Sequence, residues 1–250
     1  MKLFRNKRMM SPGAVELGLI NDSTPFAIRE AYKTLYTNII YVGIEDRCKK
    51  IAVSSAVPSE GKSSVSANLA YTIAQNSRDT KVLLIDADMR VPKIHTFFNL
   101  DPNSHGLSEY LAGVDSEPNV TYLEDENISV LTSGARSLNP TQLLSSSNMV
   151  KLFEILEEKF DFIIIDTPPI NIVADALLFN EYINGYVIST LSEYSDVNSV
   201  NMCVEQLNRV GARILGFVLS ALKLKNLGGR YKHSRYNHRY SSEDKKIGND

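Results

Sequence analysis

The residues best suited to chemistry in this 250-residue chain lie in one short run, Ala56-Val57-Pro58-Ser59-Glu60-Gly61-Lys62-Ser63. The run fits a phosphate-binding P-loop with Ala in place of the first Gly. Lys62 can set its ammonium between the β- and γ-phosphates of a nucleotide, and the Ser63 hydroxyl can ligate Mg²⁺. The backbone N–H groups of Ser59, Glu60, Gly61, Lys62, Ser63 and Ser64 can cradle phosphate oxygens, helped by the dipole of a following helix. The plain alternative is a glycine turn ahead of an ordinary helix. Context separates the two. Ile51-Ala52-Val53 reads as a strand before the loop, and Val65, Leu69 and Ile73 recur every four residues after it, as one face of a helix does.

A nucleotide with Mg²⁺ needs acids near the same loop. Val82-Leu83-Leu84-Ile85 runs into Asp86-Ala87-Asp88-Met89-Arg90, and Phe162-Ile163-Ile164-Ile165 runs into Asp166-Thr167-Pro168-Pro169. Each acid ends a short apolar strand, where it can face a ligand on a neighbouring loop. Mg²⁺ keeps several waters, so one or two carboxylates suffice. Asp166 is the Walker B type of acid. Asp86 and Asp88 could divide the work, one helping to hold Mg²⁺ and the other accepting a proton from an attacking hydroxyl. The candidate metal ligands are Ser63, Asp88 and Asp166, and the candidate catalytic residues are Lys62, Asp86 and Asp88. The bland alternative for each acid is helix capping or loop solvation. Arg90 is either a phosphate contact or an ion-pair partner that orients Asp88.

The elements that must position these groups alternate along the chain. Strands are expected at 51–54, 82–85, 128–132, 162–165, 185–190 and 214–219. Helices are expected from Thr24-Pro25 to about Tyr41, with Thr24 as N-cap and Pro25 in the first turn, and at 63–76, 107–112, 141–159, 172–183 and 196–210. Short, nearly all-apolar strands imply burial on both faces, the habit of a parallel sheet covered by helices. The fold class is α/β: a doubly wound, mainly parallel sheet with helices on both faces, its ligand at the carboxyl ends of the strands. Residues 1–23 read as a flexible basic N-terminus, 24–222 as the domain, and 223–250 as a flexible tail. Residues 223–240 carry Lys223, Lys225, Arg230, Lys232, Arg235 and Arg239 with no acid, interleaved with Tyr231, Tyr236 and Tyr240.

Bulk composition narrows the class. Apolar residues make up 43% of the chain, enough for a full core. A net charge of -2 gives no global field for nucleic acid. Two cysteines far apart, Cys48 and Cys203, are neither a disulfide framework nor a metal set, and fit a reduced, cytoplasmic compartment. No apolar run approaches the length of a membrane span, and the basic start lacks the apolar stretch of a signal peptide.

Taken together, Ala56 to Ser63, Leu83 to Arg90 and Ile163 to Pro169 resemble the Walker A, Walker A′ and Walker B motifs of the bacterial tyrosine kinase (BY-kinase) family of capsule and exopolysaccharide systems. Arg90-Val91-Pro92-Lys93-Ile94-His95, Gly106 to Gly113 and Asn139 to Leu144 agree with it. The resemblance covers roughly residues 20–222. The family belongs to the deviant P-loop ATPases. Its partitioning and division-site relatives usually carry a signature Lys early in the loop, where this chain has Val57 and then Pro58, a departure that favours the kinase branch.

The resemblance implies ATP-dependent, Mg²⁺-assisted autophosphorylation on tyrosine, with Tyr231, Tyr236 and Tyr240 as phosphoacceptors in the tail. The bland reading of that tail is a solvated basic segment or one that touches anionic lipid. The resemblance also implies other copies of the chain as ring partners. As activator it implies the cytoplasmic tail of a membrane protein that controls polysaccharide chain length, which would hold the kinase at the inner face of the plasma membrane. The rivals are an ATPase switch without protein phosphorylation and a non-catalytic nucleotide-binding scaffold. Three departures stand out. The family's Glu-Arg-Arg spacing in the first helix reads Glu30, Lys33 and Tyr36 here. An Arg often found after the 185–190 strand is Leu191 or Ser192, and an Asn after the 214–219 strand is Ser220. Lys does not replace Arg in bidentate pairing.

Overall fold

The computed structural model describes residues 18–221; the expected basic N-terminus up to residue 17 and the tail with Tyr231, Tyr236 and Tyr240 lie outside the described residues. Seven strands form one sheet: β1 (Lys49–Ser55), β2 (Val82–Asp86), β3 (Thr121–Leu123), β4 (Ile128–Leu131), β5 (Phe162–Asp166), β6 (Gly185–Leu191) and β7 (Ile214–Ser220). Their spatial order is β3-β4-β2-β5-β1-β6-β7. All pairings are parallel except β3 with β4. The expected mainly parallel α/β sheet is what forms.

Alternation along the buried strands explains the layering. In β5, Phe162 and Ile164 pack with Ile51, Val53, Val82 and Leu84 against Val65, Leu69 and Ile73 of α2 (Lys62–Asn76). Ile163 and Ile165 point the other way, with Leu83 and Ile85, against Met149, Leu152, Phe153 and Leu156 of the helix at Ser147–Lys159. Each such side chain contributes roughly 1.5–3 kcal/mol by leaving water. The same period of two decides where the acids go. Asp86 follows Leu84, and Asp166 follows Ile164, so both carboxylates fall on the α2 face. There the two residues stand side by side in the β2–β5 pairing.

The remaining helices are α1 (Phe26–Tyr41), α3 (Ile94–Phe97), α4 (Leu107–Leu111), α5 (Pro140–Leu144), α6 (Ser147–Lys159), a 3₁₀ stretch at Ala174–Glu181 and α7 (Val197–Arg209). Several expectations need correction. The single helix expected over 141–159 is two, broken at Ser145-Ser146. The helix expected at 172–183 is the shorter 3₁₀ stretch. The short edge strand β3 and the single turn of α3 were not expected. Thr24 does not cap α1. Pro25 holds the capping position, and Thr24 Oγ1 instead accepts from the Asn21 N–H at 3.0 Å. Among the described residues no helix is long and apolar enough to cross a membrane.

Candidate functional site

The loop between β1 and α2 has the backbone of a phosphate cradle. Gly61 stands just before α2 at φ +82°, a left-handed conformation that favours glycine. Ser59 adopts φ 68° without being glycine, so the loop holds a strained residue in place. No side chain caps α2, and its first turn carries no acid. Its leading N–H groups therefore have no side-chain acceptor, and the positive end of the helix faces the strand ends.

Lys62 is the centre of a buried charge cluster. Its ammonium donates to Asp88 Oδ2 at 2.7 Å and lies 3.8 Å from Asp166 Oδ2. Ser63 Oγ is 3.4 Å away. Burial alone would lower the Lys62 pKa, but Asp166 and Asp88 outweigh it and hold it above the usual value. Asp166 Oδ1 accepts from Ser66 Oγ at 3.0 Å, whereas the buried Oδ2 has no hydrogen-bond partner among the described residues. Burial pushes the Asp166 carboxyl upward, opposed by Lys62. Asp86 is fully buried; its Oδ2 accepts from the N–H groups of Lys93 (3.0 Å) and Ile94 (2.9 Å), and its Oδ1 from that of Asp88 (3.3 Å). Burial first, and the Asp166 charge second, raise its carboxyl to about 8. One ammonium thus sits among three carboxyl groups, paired with those of Asp88 and Asp166.

The predicted residues Lys62, Ser63, Asp86, Asp88 and Asp166 are brought together. No group of three or more His, Cys, Asp or Glu among the described residues forms a metal cage by itself. Arg90 does not pair with Asp88: its guanidinium pairs with Asp175, Nε to Oδ2 at 2.7 Å and Nη2 to Oδ1 at 3.2 Å. Thr141 Oγ1 donates to the same Asp175 at 2.6 Å, and Arg136 Nε donates to the Arg90 carbonyl at 2.9 Å. Asp175 was missed by sequence reasoning, as were Thr141 and Arg136. These contacts tie the loop that follows Asp86 and carries Asp88 to α5 and to the 3₁₀ stretch.

The pattern of the AAA domain, a P-loop ATPase domain, matches residues 48–215. The tyrosine-protein kinase YwqD of Bacillus subtilis is 37% identical over 216 residues, 86% of this chain and 87% of that protein. The putative tyrosine-protein kinase CapB of Staphylococcus aureus is 32% identical over 225 residues, 90% of this chain and 95% of that one. The chain belongs to the bacterial tyrosine-kinase family. The solved kinase domain of the Escherichia coli tyrosine kinase ETK superposes with a TM-score of 0.73 at 33% identity, covering 78% of this chain and 75% of that one.

Within this BY-kinase fold, the departures acquire physical roles. Lys33 pairs with Glu30 at 2.8 Å on the exposed face of α1, a contact of little energetic weight. Tyr36 is half-buried, its ring 6.2 Å from that of Phe162, and its hydroxyl accepts from Asn76 Nδ2. Val57 packs against the cluster formed by Ile170, Tyr186 and Ile188. Glu60, expected to serve the ligand as part of the loop, has a second use. Its buried carboxylate accepts from the Val57 N–H at 2.9 Å and from Ser195 Oγ. A Cβ added to Gly61 would stand 3.8 Å from Ser189 Oγ and 3.9 Å from Ser220 Oγ, so both hydroxyls border the loop from the β6–β7 side.

Proposed function

We propose that this BY-kinase domain transfers the γ-phosphoryl group of ATP to tyrosine hydroxyls, with Mg²⁺ as the working cation, and that it thereby regulates capsule or exopolysaccharide synthesis. The observation carrying the reading is the buried cluster of Lys62, Asp86, Asp88 and Asp166 at an uncapped helix N-terminus. Its chemistry fits a divalent cation: three carboxyl groups surround one ammonium, and Asp166 Oδ2 has no hydrogen-bond donor among the described residues. Ser63, Asp88 and Asp166 would hold Mg²⁺ directly or through water. Bound there, Mg²⁺ neutralises charge on the β- and γ-phosphates.

Lys62 leaves Asp88 to meet the β- and γ-phosphate oxygens, and stabilises the charge that builds as the γ-phosphoryl moves. The amides of residues 59–64 fix the phosphates. Asp86 takes the proton of the attacking phenol. Three backbone N–H groups hold its carboxyl in place, and burial and the neighbouring Asp166 charge raise its pKa, which strengthens it as a proton acceptor. The tail tyrosines Tyr231, Tyr236 and Tyr240 are acceptors offered to neighbouring copies. A membrane protein's cytoplasmic tail acts as activator, which places the kinase in the cytoplasm at the membrane's inner face.

Incubating the purified chain with γ-labelled ATP and Mg²⁺, with and without a candidate activator peptide, tests this. Label on tyrosine supports the kinase. Label released only as free phosphate gives the chain an ATPase-switch role, and no turnover at all gives it a scaffold role.

A further inference from the structure

The P-loop is braced on its outer side by the segment that follows β6. Ser189 Oγ donates to the Glu60 carbonyl at 2.5 Å. Ser195 Oγ donates to the Glu60 carboxylate and accepts from the Leu191 N–H at 2.8 Å. The Tyr194 hydroxyl donates to the Pro58 carbonyl at 3.2 Å. Two features turn this segment back over the loop: Glu193 stands at φ 63°, and Asp196 caps α7 by accepting from the Ser199 N–H. Ser59, next to Pro58, is itself held in a left-handed conformation, so the shape of the cradle depends on contacts from outside it.

Among these bracing groups one differs from the rest. Ser189 and Glu60 are fully buried, whereas Tyr194 is 54% exposed. We propose that Tyr194 is a regulatory phosphoacceptor: a second copy of the chain phosphorylates its hydroxyl, and the phosphate detaches the 191–195 segment from the P-loop. The proposal rests on the kinase reading. Because the phenol is engaged with the backbone of its own P-loop rather than with the Lys62–Asp88–Asp166 cluster, the donor is another molecule.

The step balances. The Tyr194 oxygen attacks the γ-phosphorus of ATP held by the second copy. The new O–P bond forms as the bond from that phosphorus to the β,γ-bridging oxygen breaks. ADP leaves with that electron pair, and the phenolic proton passes to Asp86 of the donor copy.

The consequence follows from hydrogen-bond chemistry. A phenol can donate to a carbonyl oxygen; its phosphate ester near neutral pH carries close to two negative charges and is an acceptor. The contact with Pro58 turns from attraction to repulsion. Residues 191–200 contain Glu193 and Asp196 and no Lys or Arg, so the segment offers no cation of its own to recapture the phosphate. Released, it no longer steadies Glu60 through Ser195, and the cradle grips nucleotide less firmly. Phosphorylation at this point is a brake that rises with the density of active copies.

The test uses the full chain. Wild-type enzyme, ATP and Mg²⁺ are mixed with a size-tagged Lys62→Met chain, and the phosphopeptides of the tagged chain are mapped. Phosphate on the peptide holding Tyr194 is the expected result. Phosphate on other tyrosines but not on Tyr194 overturns the proposal and leaves the kinase reading standing. Phosphate nowhere, in either chain, overturns both. A second measurement follows release of fluorescent mant-ADP from a Tyr231→Phe, Tyr236→Phe, Tyr240→Phe chain after ATP treatment. Phosphatase should slow release by about tenfold, the equivalent of one lost hydrogen bond. Adding Tyr194→Phe should abolish that difference. Equal release before and after phosphatase, with Tyr194 phosphate verified, overturns the bracing role.

Discussion

Toward β2 and β5 the P-loop sends Lys62 among the ionisable side chains of Asp86, Asp88 and Asp166, all buried. Toward β6 and β7 it is bordered by neutral hydroxyls: that of the buried Ser189, and those of Ser195, Ser220 and Tyr194 on a partly exposed rim. On the charged flank every carboxylate meets Lys62, Ser66 or a backbone N–H. In that low-dielectric setting each lost partner leaves an uncompensated charge. On the neutral flank, a hydroxyl of the exposed rim that loses its partner can be reached by water. The first flank therefore does chemistry and the second sets how firmly the loop is held.

The largest effect should come from Lys62→Met. Removing the ammonium takes away the group that meets the transferring phosphoryl. Phosphotyrosine formation should fall by roughly a hundredfold or more, on the scale of one lost transition-state donor. Circular dichroism should report an unchanged fold. Retained phosphotyrosine signal would place the chemistry elsewhere.

Asp86→Asn comes next, and it separates base from structure. The turnover number should drop by about a hundredfold, the lower range for general-base removal. A second readout is stability against pH. The Asp86 carboxyl moves from 3.8 to about 8 on folding, so the native state keeps a proton that the unfolded chain loses. This group's share of stability is full below pH 3.8 and is lost as pH rises through about 8. The melting temperature of the nucleotide-free chain should fall across that window, and Asp86→Asn should flatten the decline. A slope unchanged by the substitution would assign the pH response to other groups.

A step away from the reacting atoms, Asp175→Asn removes the charge that Arg90 grips. The Arg90 side chain is 39% exposed, so solvent softens the loss. Urea melts should show about 1–3 kcal/mol of destabilisation, the range for a charge-assisted hydrogen-bond network. The KM for ATP should rise because the loop that follows Asp86 and carries Asp88 loosens. A melt identical to wild type would make the clamp ornamental.

The charged flank was legible in the sequence because its signals are local. Four apolar residues and then an acid, twice, define strand, burial and carboxylate together, and the period of two sends both acids to the α2 face. The clamp and the brace were not, because their partners meet only through the fold. Arg90 and Asp175 are 85 residues apart, and Tyr194 and Pro58 are 136 apart. Among the elements, β3 was missed because Thr121-Tyr122-Leu123 is short and mostly exposed, without the apolar run of a central strand. The break between α5 and α6 had a signal in Ser145-Ser146, residues that compete for backbone hydrogen bonds, but the apolar period on either side masked it.

The smallest expected effect sharpens the contrast on the neutral flank. Ser195→Ala removes a donor to Glu60 and an acceptor for the Leu191 N–H. Both lost contacts are only part-buried, so water replaces some of what the hydroxyl supplied. The Glu60 carboxylate keeps the Val57 N–H, and the Glu60 carbonyl keeps Ser189 Oγ. The loop should therefore loosen without collapsing, and the KM for ATP should rise by about threefold, equivalent to less than 1 kcal/mol. The turnover number should change less than KM, because none of the atoms removed touches the phosphoryl group. A fall in turnover number as deep as that of Asp86→Asn would mean that the hydroxyl rim reaches the chemistry, and the division between the two flanks would fail.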